Sequence, residues 1–127
     1  MKANEVIIIL NDRLINLHAA NNQIMNDYLA LITTTDGNIF DVAQINLYLN
    51  RLKLLSEEIM TIKKWKSDIQ NIINTPKCQH ISIVEYLKLN RESYSIYYPN
   101  IDNDKKEKHY YLYCVLTKCL NIFKTID

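Results

Sequence analysis

The spacing of hydrophobic residues predicts a long helix near the start of the chain. From Asn4 to Ile32 there is no glycine or proline, and large apolar residues recur at alternating steps of three and four. This heptad pattern lines one side of a helix, and the polar Asn21 is its single interruption. The stripe consists of Ile7, Leu10, Leu14, Leu17, Ile24, Tyr28 and Leu31. We therefore expect a helix over about 4–32.

A second helix with the same pattern is predicted over about 41–73. Residues 33–38 contain the sole glycine of the chain and have the composition of a turn. Asp41 can then cap a helix, and Gln44 three residues later completes a capping-box-like pair. Apolar positions follow at three-four spacing until Pro76, with Lys66 as the one exception: Ile45, Tyr48, Leu52, Leu55, Ile59, Ile62, Ile69 and Ile73. A short turn between two such helices predicts a long antiparallel hairpin over 1–75.

The C-terminal part, 76–127, is expected to pack on this hairpin. Ser82 and Glu85 form a capping box that predicts a short helix over 82–89, whereas 92–98 alternates as a strand does. Residues 100–108 have the composition of a charged loop. Helical spacing then predicts a C-terminal helix with one apolar face: Leu112, Val115, Leu116, Cys119, Leu120 and Phe123. A β-hairpin that pairs 94–98 with 110–116 is the alternative; we favour the helix because 116–126 keeps helical spacing.

Composition supports a mainly α fold. The chain has 127 residues, of which 48% are hydrophobic and 23% charged, with one Gly and two Pro. This length predicts a single domain over 1–127, with 76–127 covering the hairpin. So few turn-forming residues favour long helices with few connections, and they exclude glycine-rich phosphate loops. Because 15 Lys+Arg nearly balance 14 Asp+Glu, net charge gives no case for nucleic acid or an acidic membrane as the main partner.

Several features bear on location and origin. Three cysteines at scattered positions suit reduced thiols better than a disulfide framework. The apolar run at 7–10 is too short for a signal peptide or a membrane-spanning helix, so we expect a cytoplasmic protein that does not enter a membrane. The abundance of Ile, Asn, Lys and Tyr, whose codons are rich in A and T, points to an AT-rich genome. A phage or viral component, acting in the host cytoplasm or in the virion, fits that origin.

No catalytic, metal-binding or cofactor-binding residue is predicted. The one conceivable set of zinc ligands is Cys78, His80, His109, Cys114 and Cys119, and it lacks the close pairs that zinc sites use. A Cys–His nucleophile pair is formally available from the same residues. However, Cys114 and Cys119 lie in an apolar stripe, which keeps thiols protonated. We therefore expect a protein that is not an enzyme and needs no cofactor.

A cluster of tyrosines is the strongest candidate for a partner-binding surface. Six of the nine tyrosines lie within 94–113, more than a small core can accommodate. Tyrosine is enriched in protein interfaces because it combines a large apolar area with a hydrogen-bonding tip. The residues expected to contact a partner are Tyr94, Tyr97, Tyr98, Tyr110 and Tyr111. Packing of the same rings against the hairpin is the alternative interpretation.

Two further sets of residues have weaker candidate roles. Asn21 and Lys66 are polar residues within apolar seams, where such residues can set helix register and oligomeric state, or can simply reach solvent at the seam edge. Lys63, Lys64 and Lys66 beside Trp65 form a candidate nucleic-acid site, in which lysines contact phosphates and the indole stacks on a base. Trp65 also adjoins the apolar seam and can belong to the core, and nucleic acid is not expected as a partner.

These patterns lead to a ranked set of functions. The leading hypothesis is a non-enzymatic interaction or assembly protein, expected to form a homo-oligomer and to bind protein partners through its helix faces and tyrosines. A small monomeric inhibitor or regulator of one host protein is the alternative. A nucleic-acid-binding module is the third.

Overall fold

The computed structural model describes residues 2–34, 42–75, 79–97 and 103–124. These residues form four helices: α1 (Lys2–Thr34), α2 (Val42–Ile73), α3 (Gln79–Tyr97) and α4 (Asn103–Lys124). The described residues contain no strand, and the prediction of a mainly α fold is confirmed. The two helices predicted over 4–32 and 41–73 agree with α1 and α2 to within two residues at each end.

The C-terminal helix is confirmed, and three other expectations for this region are wrong. The short helix predicted over 82–89 is part of the longer α3, so the strand expected over 92–98 is helical up to Tyr97, where the description of α3 ends. The alternative β-hairpin fails because 110–116 is also helical. The loop expected over 100–108 is helical from Asn103 onward. The alternation was misleading because Ile83, Leu87 and Tyr94 continue one helical face past residue 92.

Contacts between the helices show that neighbours run in opposite directions. Lys2 Nζ donates to the Ile122 carbonyl oxygen at 3.2 Å, and the Arg13 guanidinium lies beside the Tyr111 hydroxyl. Moving along α1 therefore moves backward along α4. The Tyr86 hydroxyl donates a hydrogen bond to Asp68, and the Tyr94 ring contacts Trp65 edge-to-face. These two contacts place α3 antiparallel to α2 in the same way. The result is an up-down-up-down helix bundle.

One hydrophobic core joins all four helices, and it involves the first half of α1 and the second half of α2. On α1 the buried residues lie between Ala3 and Leu17, and on α2 between Leu55 and Ile69. The core is completed by Ile83 and Leu87 of α3 and by residues of α4: Leu112, Val115, Leu116, Cys119, Leu120 and Phe123. No side chain is fully buried within 18–33 or 43–54, and the residues of these segments that pack against the core, Ala20 and Ile24, are only partly buried. That the chain is a single domain stays a prediction.

Candidate protein–protein interface on the helical hairpin

The exposed hydrophobic side chains of this protein are concentrated on one surface of the hairpin. Nine large hydrophobic side chains are exposed in the described part of the chain, and only Leu47, Leu89 and Tyr110 lie elsewhere. We call the surface that carries the other six the outer face. It is defined by Ile8, Ile15, Met25 and Leu29 on α1 and by Leu49 and Met60 on α2.

The outer face of α1 points away from α4. Arg13 lies beside Tyr111 of α4 and therefore marks the side of α1 that faces that helix. Ile15 follows two residues later, about 200° further around the helix. Its side chain is 66% exposed, whereas its neighbour Leu14 is buried in the core. Ile15 therefore lies on the opposite side of α1 from α4.

The same relation holds on α2. Arg51 and Glu58 line a cleft with Lys108, so they mark the side of α2 that faces α4. Leu49 and Met60 are each two residues away from one of these markers, and so point about 200° away from α4. Met60 is 69% exposed. Both helices of the hairpin thus present apolar side chains on the surface opposite α4.

A seven-residue repeat runs along the outer face of α1. Ile8, Ile15 and Leu29 are separated by multiples of seven, and the remaining position of that series is the exposed Asn22. Residues seven apart lie on the same side of a helix, so α1 carries a second, interrupted apolar stripe in addition to the one in the core. The core stripe is the stronger of the two patterns in the sequence. The signal for the second was present in the repeat, but it is weaker because polar residues interrupt it.

The outer-face residues of α1 and α2 lie at matching heights, or levels, along the axis of the hairpin. Asn4 and Ile7 line the same surface groove as the segment 67–74 of α2, which is centred near Asn71, so the start of α1 lies beside the last two turns of α2. Eleven residues along α1 from Asn4 is Ile15, and eleven residues back along α2 from Asn71 is Met60. Ile15 and Met60 therefore lie at about the same height on the two helices. By the same alignment Leu49 lies level with Met25 and Leu29, so the apolar surface extends along most of the hairpin.

A second feature lies where α4 meets the middle of α2. Glu57 and Lys108 form an ion pair at 2.6 Å, and a cleft of about 100 Å³ beside it contains the Glu58 carboxyl group. Burial raises the pKa of Glu58 to about 7, although the positive charges of Lys108 and Arg51 oppose the rise. The negative charges of the exposed Glu107 and of Glu57 also raise this pKa. The two adjacent glutamates therefore have different environments: one is paired, and the other is partly desolvated.

The tyrosines that were predicted to contact a partner differ from one another in their burial. Tyr94 is half-buried between Trp65 and His109, with ring centroids 5.9 and 5.2 Å away in edge-to-face geometry. Tyr111 is half-buried against the core, and burial raises its pKa and that of Tyr94. Tyr110 is 57% exposed. Tyr97 ends α3, and its side chain, like the whole of Tyr98, lies outside the described residues. A partner surface built from these tyrosines stays a prediction.

The Trp65 ring belongs to the core and is 2% exposed, so it cannot stack on a nucleic-acid base. Lys63 and Lys64 are exposed, but Lys64 forms an ion pair with Asp68 at 2.8 Å on its own helix. Lys66 and Asn21 are half-buried beside the hairpin core. Their register-setting role stays a prediction.

The expectation that Cys114 and Cys119 share an apolar stripe is wrong, because they lie about 140° apart around α4. Cys114 is exposed and Cys119 is buried, and burial raises the pKa of the Cys119 thiol to about 12. Cys78 and the His80 side chain lie outside the described residues. Among the side chains described, no three His, Cys, Asp or Glu residues come together as ligands for a metal ion. No helix in that part of the chain has an apolar stretch long enough to cross a membrane.

Comparison with protein-family models, with curated proteins and with solved structures finds no match to this chain.

Proposed function

We propose that this protein is a non-enzymatic interaction or assembly protein whose principal binding surface is the outer face. In this proposal it acts in the cytoplasm, forms a homo-oligomer and binds protein rather than nucleic acid. Its residue usage favours a phage or viral component, located in the host cytoplasm or in the virion. The exposed Tyr110, about two turns into α4, is a candidate for a second contact.

The observation that carries the proposal is the concentration of exposed apolar side chains on one surface. Ile15 and Met60 are both about two-thirds exposed, although they adjoin a hairpin whose other side is well packed. Soluble monomers rarely expose contiguous apolar patches larger than a few hundred Å², and larger patches mark interaction sites. Neither residue is needed for the core, since the core is complete without them.

The alternative, a monomeric regulator of one host protein, uses the same surface. It is favoured by the core that α1–α4 build together within one chain, since such a core needs no second chain in order to fold. The two functions differ in the partner that covers the outer face. A nucleic-acid role has less support, because the Trp65 ring is inaccessible.

An outer-face variant tests the proposal. Ile15→Lys combined with Met60→Lys places two charges in the centre of the apolar surface and spares the core. Leu89→Lys on α3 is the matched control, because Leu89 is equally exposed, at 69%, but lies outside the outer face. Gel filtration with light scattering is applied to the purified proteins and to an extract of the native source.

We expect the native chain to elute above 15.0 kDa in at least one of these settings, and the double variant to elute at 15.0 kDa in both. The Leu89→Lys control should behave like the native chain. A native chain that is monomeric in both settings, or a double variant with an unchanged profile, contradicts the proposal.

A further inference from the structure

We propose that the outer face binds the outer face of a second copy of this chain, with α1 of each copy lying antiparallel against α2 of the other. The inference rests on the proposed function and names the partner. Such a contact is isologous: a twofold axis parallel to the helices places α1 opposite α2 of the second copy and keeps both at the same level.

Charge on the outer face favours this arrangement. The α1 half carries two exposed acidic residues, Glu5 and Asp12, at three-four spacing with Ile8 and Ile15. Along that line, from residue 5 to residue 29, there is no lysine or arginine. The α1 half of the outer face is therefore acidic.

The α2 half has the opposite sign. Lys53 and Lys63 are exposed seven residues before and three residues after Met60, so they flank it on one side of the helix. Leu49 and the exposed Ser56 and Ser67 complete that line. A surface that is acidic on one helix and basic on the next is complementary to itself when the two helices exchange places. Contact of α1 with α1 of the second copy would instead bring the two acidic halves together.

The alignment of the hairpin brings apolar residues together in the same contact. Because Ile15 and Met60 share a level, the twofold axis places Ile15 of each copy opposite Met60 of the other. Asp12 falls level with Lys63 by the same alignment, which starts from Asn4 and Asn71. One apolar pair and one charged pair are thus matched in this register, whereas Glu5 and Lys53 fall level with Gln70 and Asn22.

The available area is sufficient for a specific dimer. The outer face spans residues 8–29 of α1, which is about 32 Å of helix at 1.5 Å per residue. Two adjacent helices present a width of roughly 20 Å, so each copy offers roughly 600 Å² and the pair roughly 1,200 Å². This lies at the lower end of the range for specific protein–protein interfaces, which predicts a dimer of moderate affinity.

Charge reversal gives a test that distinguishes this interface from other modes of association. The first variant carries Glu5→Lys and Asp12→Lys, so that both halves of its outer face are basic. The second carries Lys53→Glu and Lys63→Glu, so that both halves are acidic. We expect each variant alone to dimerise roughly ten- to a hundredfold more weakly than the native chain, because like charges meet across the interface.

An equimolar mixture of the two variants should recover a dimer of two 15.0 kDa chains, because every α1–α2 contact in the mixed pair joins opposite charges. The matched control is Lys88→Glu with Lys118→Glu, which changes net charge as the second variant does but at exposed positions on α3 and α4. This control should keep the native dimer affinity. It should pair with the first variant more weakly than the second variant does, because only one of the two α1–α2 contacts in that mixed dimer joins opposite charges.

Sedimentation equilibrium at low and high salt, with circular dichroism to check helicity, provides the readout. Recovery of the dimer in the mixture supports the proposal and also shows that both variants are folded. Variants that still form homodimers overturn the inference but leave an assembly function that uses another surface. A native chain that is monomeric at every concentration also overturns it. In that case the Ile15→Lys, Met60→Lys experiment in the native extract decides separately whether a different protein occupies the outer face.

Discussion

Replacement of Glu58 by glutamine should stabilise the protein at alkaline pH and leave it unchanged in acid. The Glu58 carboxyl group lies in the cleft between α2 and α4, where burial raises its pKa from 4.5 to about 7. In the unfolded chain the pKa returns to the ordinary value. The folded state therefore holds a proton that the unfolded state releases, and unfolding becomes easier as the pH rises.

The sign and size of the effect follow from this difference. The stabilising contribution of protonated Glu58 is complete below about pH 4.5 and is lost as the pH rises through about 7. If the whole pKa difference between the folded and unfolded states contributed to the free energy of unfolding, it would amount to about 3 kcal/mol. Because Glu58 is partly exposed and water screens its charge, we expect about 1–2 kcal/mol. Glutamine has nearly the same shape and cannot ionise, so Glu58→Gln removes this loss.

Urea unfolding followed by circular dichroism, at one low protein concentration and at several pH values, measures the effect. At about pH 8 the variant should be more stable than the native chain by about 1–2 kcal/mol, and near pH 4 the two should coincide. The control is Glu57→Gln, the adjacent change, which breaks the 2.6 Å ion pair with Lys108 and should instead lower stability by about 0.2–1 kcal/mol at neutral pH. Equal stability of Glu58→Gln and the native chain at alkaline pH would refute the assignment of Glu58 to a desolvated site.

Three other substitutions test the bundle itself by urea unfolding. Trp65→Ala removes a ring that is 2% exposed and stacked on Tyr94, and it should cost about 3–5 kcal/mol; a loss below about 1 kcal/mol would place the ring outside the core. Leu116→Ala should cost about 2–5 kcal/mol, since this side chain of α4 is fully buried, and a surface-like change would show that α4 does not pack as described. Tyr86→Phe removes the 2.6 Å hydrogen bond to Asp68 and should cost about 1 kcal/mol, with no loss if the α2–α3 contact is not formed.

The hairpin was predictable from sequence because several local signals agreed. In α1 and α2 the apolar residues keep three-four spacing over about thirty residues, and neither glycine nor proline interrupts them. Agreement over such a length excludes a strand, whose side chains alternate with a period of two. The apolar face of α4 was predictable for the same reason, since Leu112 and Phe123 bound a stripe that is buried throughout.

The strand predicted over 92–98 shows where local patterns fail. Alternation over five residues fits a strand and one and a half turns of helix equally well, so the contacts made by the whole element decide. Here Tyr94 packs between Trp65 and His109, a contact that is available only if α3 continues past residue 92. Trp65 and His109 are 29 and 15 residues away from Tyr94 in the sequence, so the local pattern around Tyr94 gives no sign of these contacts.

The candidate interface was only partly visible in the sequence. A count of tyrosines cannot tell Tyr94, which packs inside the bundle, from Tyr110, which is exposed. The cleft around Glu58 was missed for a similar reason: adjacent glutamates point about 100° apart on a helix, and only the position of α4 decides which of them loses its water.

The two helix pairs of the bundle differ, and the extent of the core explains only part of the difference: Met25, Leu29, Leu47 and Leu49 lie beyond the core, whereas Ile8, Ile15 and Met60 lie beside it. Both must cover the same interior, and both contribute fully buried side chains to it. Yet on α3 and α4 the exposed large hydrophobic side chains are limited to Leu89 and Tyr110 among the described residues, whereas α1 and α2 carry seven. If exposed apolar residues were a by-product of building long amphipathic helices, they would scatter over all four. Instead six of the seven lie on the outer face, where exposed acidic residues accompany those of α1 and exposed lysines accompany those of α2. From the apolar surface and the opposite charges of its two helices we infer that the outer face is a binding surface, and a second copy of the chain is the partner that we propose for it.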